Sequence, residues 1–577
     1  MDNGTIAHYF NEIGTLLEIK GENPFKARAY FNAARLIEST SQDINVLVAE
    51  DRLKELNGIG EGLQEKITTL VKTGDLPYYE ELKSSLPAGL LEFLRIPGLG
   101  PKKIKVLYEQ LNVTDIQTLR KVCEDGQVSA LKGFGEKTAK NILAGIEQIL
   151  TYESKYRYGD VILLAEEIVE TLRIHPDVIR ISLAGSLRRS KEIVKDIDIL
   201  VSAKDSTNIM DAFCNMPEVK KVQNHGETKS SVLLQNGMQC DLRVVQDHQF
   251  PYALHHFTGS KEHNVAMRQL AIGKGWKMSE WGLFDGDKLI PCVDETSVFQ
   301  QFGLDFIPPE LRENLGEIET ARNHTLPRLV EWTELRGCFH NHTTESDGRS
   351  SLEEMAAAAE EMGLEYLGIA DHSKSSYQAN GLSEERLLKQ IEEIRAYNHK
   401  KHECYLFSGV ECDILKDGEL DFSDDILSQL DYVVASVHSN FNLPEKEMTA
   451  RIIRAIENPY ITMLGHVTGR LLLQRESYAV NLPKIIDAAA ETGTWIELNA
   501  NIKRLDMDWR FWKLARDKGV KCVINPDAHH TSQLGFLKLG IQIARKGWLR
   551  KQDVVNAETL SQVKKDLLLK RKKFSKA

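Results

Sequence analysis

The sequence predicts a multidomain chain: an all-helical N-terminal region, an α/β middle and a C-terminal barrel of seven βα units. Three observations predict it. The 577 residues exceed one compact core at roughly 100–200 residues per domain. Up to about residue 150, apolar side chains recur at three- and four-residue spacing, beginning with Ile6, Phe10, Ile13 and Leu17. After about residue 335 the pattern turns to strand, loop and helix, repeated seven times.

The composition, 42% hydrophobic and 27% charged, suits ordinary soluble cores and excludes a disordered or membrane-embedded chain. A formal charge of -11 gives no global positive field, so any contact with DNA has to be local. The opening MDNGTIAHYFNEIG has neither the basic nor the apolar part of an export signal, and no stretch approaches a spanning helix. Eight cysteines without a CxxC pair fit a reducing compartment. A cytoplasmic, monomeric protein with no membrane contact is expected.

The helical region divides into 1–80 and 81–150. Three segments in it, at 53–67, 94–107 and 131–143, place Gly-apolar-Gly between helical patterns: Gly58 and Gly60, Gly98 and Gly100, Gly133 and Gly135. Such turns let the backbone come close to a ligand. From 151 to 247, β-rich runs (VIRISLAGS, DIDILVS, SVLLQ, CDLRVV) alternate with helical ones. A smaller α/β piece covers 248–315, a polar stretch at 316–334 serves as linker, and the barrel covers 335–570. The tail from Lys564 to Ala577, with seven basic residues, reads as a solvated helix end or a weak phosphate contact.

Two groups of residues carry chemistry. Asp196 and Asp198 are two apart on a strand and share a face, and Asp241 opens another β-rich run that can lie beside them. Three carboxylates on one face repel unless cations sit between them, and two divalent ions there are the apparatus of phosphoryl transfer. A solvated edge strand with incidental aspartates is the plain alternative. Upstream, AGSLRRS joins a Gly-Ser turn to an arginine pair, so that Gly185, Ser186 and Arg189 can hold a triphosphate.

In the barrel, ligand-type side chains return at one strand end after another: His340 and His342, with Asp347 just beyond; His372; Glu411; His438; His466; Asp527 and His529. The C-terminal strand ends of a barrel converge on one mouth. Imidazoles packed among carboxylates suit zinc, manganese or iron better than a core. A single histidine at any one of these places would be a core or capping residue. Asp371 beside His372 could orient an imidazole.

The GS turn followed by DxD resembles the nucleotidyltransferase superfamily. HHFTGSKEHNVAMRQLA, residues 255–271, resembles the thumb of family X DNA polymerases, to which polymerase beta belongs. That resemblance implies that Phe257 and Gly259 form a turn under the incoming sugar and that Asn264 and Arg268 face the nascent pair. His256 stands where polymerase beta has tyrosine. The glycine turns are similar to helix-hairpin-helix turns, which hold DNA phosphates by backbone N–H groups. Lys66 then matches the lyase lysine of polymerase beta, with Lys26 and Arg28 toward a 5′-phosphate, while Gly62 replaces the family's second lysine. A solvated helix lysine describes Lys66 equally well. The motifs HxH, SDG, DHS, SVHS, GH and DAH resemble the PHP phosphoesterase family, which implies a barrel with three metals.

Together these resemblances cover nearly the whole chain. They imply a gap-filling DNA polymerase of base excision repair with 3′–5′ exonuclease and abasic-site endonuclease activity. They imply two Mg2+ or Mn2+ at the polymerase site and up to three Zn2+, Mn2+ or Fe in the barrel. The implied partners are gapped or primer-template DNA and deoxynucleoside triphosphates. A metabolite-modifying nucleotidyltransferase with phosphatase, and a non-catalytic DNA scaffold, are the competing readings.

Overall fold

The computed structural model describes residues 3–40, 44–56, 58–96, 98–152 and 154–574. The chain divides into two compact units, Met1–Ser154 and Lys155–Ala577.

The first unit is helical among its described residues. The predicted apolar stripe is its core: Ile6, Phe10, Ile13 and Leu17 are fully buried, with Ile67 and Leu70 from the helix Glu61–Thr73. A second core gathers Phe93, Ile104, Leu107, Leu119 and Ile142. Each Gly-apolar-Gly turn buries its middle residue, Ile59, Leu99 or Phe134. That side chain anchors the turn from inside. Gly98 and Gly133 take φ of 83° and 91°, a region that L side chains avoid, and a Cβ on either would meet nothing within 4 Å. The turns therefore present bare backbone outward, and Gly60 and Gly100 sit at the N-termini of the helices Glu61–Thr73 and Pro101–Leu111.

In the second unit a five-stranded sheet runs in the order 178–183, 196–203, 239–245, 229–234, 219–224. The strands Asp196–Ala203 and Gln239–Val245 pair in parallel, with Asp198 directly opposite Asp241. Helices Phe250–Thr258 and Lys261–Gly273 follow, then a small antiparallel sheet. The stretch read as a linker packs inward: Glu317 is fully buried, accepts from the backbone of Asn314 and Leu315, and lies 2.7 Å from His263.

The barrel strands begin at residues 337, 366, 405, 434, 463, 495 and 522 and pair in parallel in sequence order. The third is broken. Tyr405–Ser408 pairs with its predecessor and Glu411–Asp413 with its successor. The break falls at Gly409, where a Cβ would sit 2.4 Å from the Tyr432 ring. Isolated bridges, His372 to Glu411 and Asn341 to Ala528, link the two halves of the barrel. Phe339, Tyr366, Phe407, Tyr432 and Trp495 fill its interior with large rings, so it is a packed core with its chemistry confined to the strand ends. Of the basic tail, residues 575–577 and the side chains from 569 onward lie outside the described residues.

Candidate active sites

At the barrel mouth the structure brings all nine predicted ligand residues together. Four overlapping groups offer ligand atoms within 4.8 Å of one another: His342, Asp347, His372 and His529; His340, His466 and Asp527; His340, His342 and Glu411; His372, Glu411 and His438. Glu411, beginning the second half of the broken strand, sits at the centre. Its carboxylate lies 2.8 Å from His372 Nδ1, 2.9 Å from His466 Nε2 and 3.2 Å from both His340 Nε2 and His438 Nε2.

The backbone is bent to make this possible. His340 and Asp527 have φ of 55° and 50°, left-handed values that cost roughly 1–2 kcal/mol per residue for a side chain with Cβ. The first strand's register shifts between Cys338 and Asn341, where His340 is turned into the site.

The donor set fits divalent ions. His340 Nε2, His342 Nδ1, His372 Nδ1 and His466 Nδ1 are buried without a hydrogen bond of proper geometry, although carboxylate oxygens stand 2.8–3.2 Å from two of them. Nitrogens that face carboxylates yet do not bond them are arranged as converging ligands. The titration pattern has the same origin. Burial, with His529 and His372 adjacent, pushes the His342 imidazole down to about 4. Against the penalty of burial, Glu411 and Asp413 hold His438 up at about 10, and Asp347 and Asp527 hold His529 up at about 9.

Sequence reasoning missed the groups that aim the ligands. Glu497 Oε2 lies 2.5 Å from His340 Nδ1, and Asp413 Oδ1 lies 2.6 Å from His438 Nδ1. Both carboxylates fix which ring nitrogen faces inward. Asp413 was findable, being two residues after Glu411 on the same strand face. Asp371 does not orient an imidazole. It accepts from Thr343 N and Oγ1, Ser346 Oγ and Gln390 Nε2, and so braces the loop that carries Asp347.

In the five-stranded sheet, Asp196, Asp198 and Asp241 share one face. Burial, then Asp196 and Asp241, raises Asp198 to about 6, and burial followed by Asp241 raises Asp196. Asp241 goes the other way: against its burial, Lys229 at 2.6 Å on the neighbouring strand, Ser231 and Gln239 together hold its carboxyl below the usual value. Lys229, unremarked in the sequence, joins Lys195 and Arg243 in supplying positive charge to this carboxylate face. Gly185 has φ of 62°, and a Cβ there would lie 2.2 Å from Asp198 Oδ2. The Gly-Ser turn is thus pressed against the carboxylates, a cradle that a side chain would fill. This face suits divalent ions as well.

The arginine pair and the Phe-Thr-Gly turn meet. Arg188 donates to Thr258 Oγ1 and to Glu295, and Arg189 donates to the Thr258 carbonyl at 2.8 Å and to Glu313 at 3.1 Å. Asn264 donates to the carbonyls of His256 and Gly259, and its Oδ1 is left without a partner. Arg243 stacks over the Phe257 ring. Arg268 is half-buried one helical turn beyond Asn264. Ser186 follows Gly185 in the short helix Gly185–Arg188. In the first unit, Lys26 and Lys66 both approach the Tyr78 ring, at 5.4 and 5.2 Å, while Lys66 donates to the Gly62 carbonyl and Arg28 is exposed.

Comparison with known proteins finds families along most of the chain. Residues 1–76 match the helix-hairpin-helix domain family, 90–148 the SAM-like helix-hairpin-helix tandem, 253–313 the DNA polymerase beta thumb and 339–501 the PHP domain. The chain is 38% identical to the DNA polymerase/3′-5′ exonuclease PolX of Bacillus subtilis (strain 168), over 98% of this chain and 99% of that protein. The barrel region is also similar to probable phosphatases. One from Thermoanaerobacter sp. (strain X514) is 28% identical over 41% of this chain and 95% of its own length; one from Acetivibrio thermocellus is 29% identical over 34% and 80%. With near full-length similarity and every one of these domains in place, the chain belongs to the family X DNA polymerases that carry a PHP domain.

Proposed function

We propose that the chain adds deoxynucleotides to a primer 3′-OH in short DNA gaps at its carboxylate face and hydrolyses phosphodiesters from 3′ ends, and at abasic sites, in its barrel. It acts as a monomer in the cytoplasm, with residues 1–80 and 81–150 gripping DNA, 151–247 as palm, 248–315 as thumb, 316–334 as connector and 335–570 as barrel. The convergence of the nine barrel ligands, beside a second and separate carboxylate face, carries this reading.

Asp196, Asp198 and Asp241 would hold two Mg2+ or Mn2+, and the nine barrel residues up to three Zn2+, Mn2+ or Fe, ions that polarise phosphoryl oxygens and lower the charge barrier to attack. Gly185, Ser186 and Arg189 bind the triphosphate, and Phe257 and Gly259 lie under the sugar. Asn264 and Arg268 face the nascent pair, and His256 takes the sugar-facing place. Glu497 and Asp413 would each accept the Nδ1 proton of their imidazole, so that Nε2 is the nitrogen offered to an ion. Gly58, Gly60, Gly98, Gly100, Gly133 and Gly135 contact backbone phosphates, Lys26 and Arg28 a 5′-phosphate, and Lys66 serves as lyase nucleophile.

A labelled gapped duplex incubated with wild type, Asp198→Ala and His342→Ala tests this. Asp198→Ala abolishes extension and spares degradation, and His342→Ala does the reverse. Loss of both activities in either variant would refute separate centres. The phosphatase relatives favour a second reading, in which the barrel removes terminal phosphate; release of inorganic phosphate in place of mononucleotides would select it.

A further inference from the structure

We propose that Lys546, a barrel residue, is a positioning residue for the triphosphate site of the palm. Lys546 ends the helix Leu537–Lys546 and is fully buried. A lysine there looks like an ordinary last-turn cation on a surface helix, and its surroundings say otherwise. Its ammonium has three donors, and all three are used: on the Arg189 carbonyl at 2.9 Å, the Glu310 carbonyl at 3.2 Å and Glu313 Oε1 at 2.7 Å. Glu313 Oε1 also accepts from Arg189 Nε. One barrel cation thus fixes both the main chain of Arg189 and the carboxylate that orients its guanidinium.

The second bond of that guanidinium runs to the Thr258 carbonyl, in the Phe-Thr-Gly turn. The network therefore continues from the barrel through Lys546 and Glu313 to the phosphate loop and on to the turn beneath the sugar. Other bonds across the same boundary touch neither the Arg189 main chain nor its guanidinium: Ser190 Oγ donates to Gln542 Oε1 at 3.5 Å, and Arg545 pairs with Glu310 and Glu331. Burying an ammonium costs several kcal/mol unless it is fully paired, and an apolar side chain would fill a purely adhesive position at less cost. Placing a charge there is explained if Arg189 has to be held in one orientation, since a misplacement of about 1 Å in a binding group can cost on the order of 100-fold in rate.

The inference rests on Arg189 contacting the triphosphate. Extension and exonuclease kinetics are measured on the full chain for Lys546→Met, Glu313→Gln, Arg189→Ala and Arg545→Met, with the thermal midpoint of each. Lys546→Met and Glu313→Gln raise the KM for deoxynucleotide by about tenfold or more, change kcat less, and leave exonuclease within about twofold of wild type. Arg545→Met, a loss at the same boundary, leaves the nucleotide KM unchanged. Unchanged KM in Lys546→Met and Glu313→Gln, with KM raised in Arg189→Ala, overturns the positioning role alone. Unchanged KM in Arg189→Ala overturns the triphosphate reading and this inference with it. Equal loss of both activities identifies a merely structural lysine. Should Lys546→Met fail to fold, Glu313→Gln, which keeps the side-chain shape, decides.

Discussion

Glu497 illustrates how one buried carboxylate can orient an imidazole of a candidate metal site. It lies 2.5 Å from His340 Nδ1 and is fully buried. Replacing it by glutamine keeps the shape but lets the imidazole choose its tautomer, and such changes commonly cost 10–100-fold in metal affinity. Glu497→Gln is therefore expected to weaken Mn2+ binding by about that factor in equilibrium dialysis, leaving extension unchanged. Gly185 makes the converse case in the palm. Its positive φ and the 2.2 Å approach of a Cβ to Asp198 leave no room for alanine. Gly185→Ala should cut extension by more than about tenfold while exonuclease persists, read from the same gapped duplex.

The gathering of the nine barrel residues was legible because each follows an apolar strand and is of a type seldom left there without purpose. Glu497 was not, because an acid inside WIEL carries no neighbouring histidine to draw notice. Lys229 and Lys546 were hidden for a related reason: a lysine on a strand or in a last helical turn is ordinary, and only the folded chain shows which carboxylate it meets.

Among the structural elements, the turn Gly185–Arg188, the helix Phe250–Thr258 and the helix Glu295–Gln300 are tied by charge. Glu295 takes both Arg188 and the fully buried Arg312, at 2.6 and 2.5 Å. Burial alone would raise its carboxyl, but Arg312 and Arg188 prevail and hold it at about 2 against an ordinary 4.5. A depressed carboxyl stabilises the fold fully above its unfolded value. That contribution drains away as the pH falls from about 4.5 through about 2, at about 1.4 kcal/mol per pH unit. Glu295→Gln, which strands the fully buried Arg312 and the partly buried Arg188, should cost about 3–5 kcal/mol at neutral pH. Its deficit against wild type should shrink below pH 4.5, as followed by urea midpoints across that range. A deficit independent of pH would show that the carboxylate charge is not what binds these elements. The broken third strand was not visible in YLFSGVECD, which reads as one run; at the break, Gly409 leaves room for the Tyr432 ring, which comes from the chain just before the following strand.

Across the molecule, the order of the parts could be read from changes in apolar period, while their attachment could not. The barrel meets residues 151–247 through Lys546 and a hydrogen bond from Trp509 Nε1 to Glu192 at 2.8 Å, and residues 248–315 through Arg545 and Glu310. None of these residues belongs to a recognisable motif, since boundary contacts follow shape and not local pattern. On the function proposed, one unit carries two separate ion-dependent phosphoryl centres, at the carboxylate face of the palm and at the barrel mouth. Elemental analysis of the full chain, equilibrated with Mn2+ and desalted, tests this most directly. Two to three ions should remain per chain, falling in His340→Ala and His342→Ala but not in Asp198→Ala. A wild-type chain that retains none, or a count unaffected by the histidine substitutions, would contradict it.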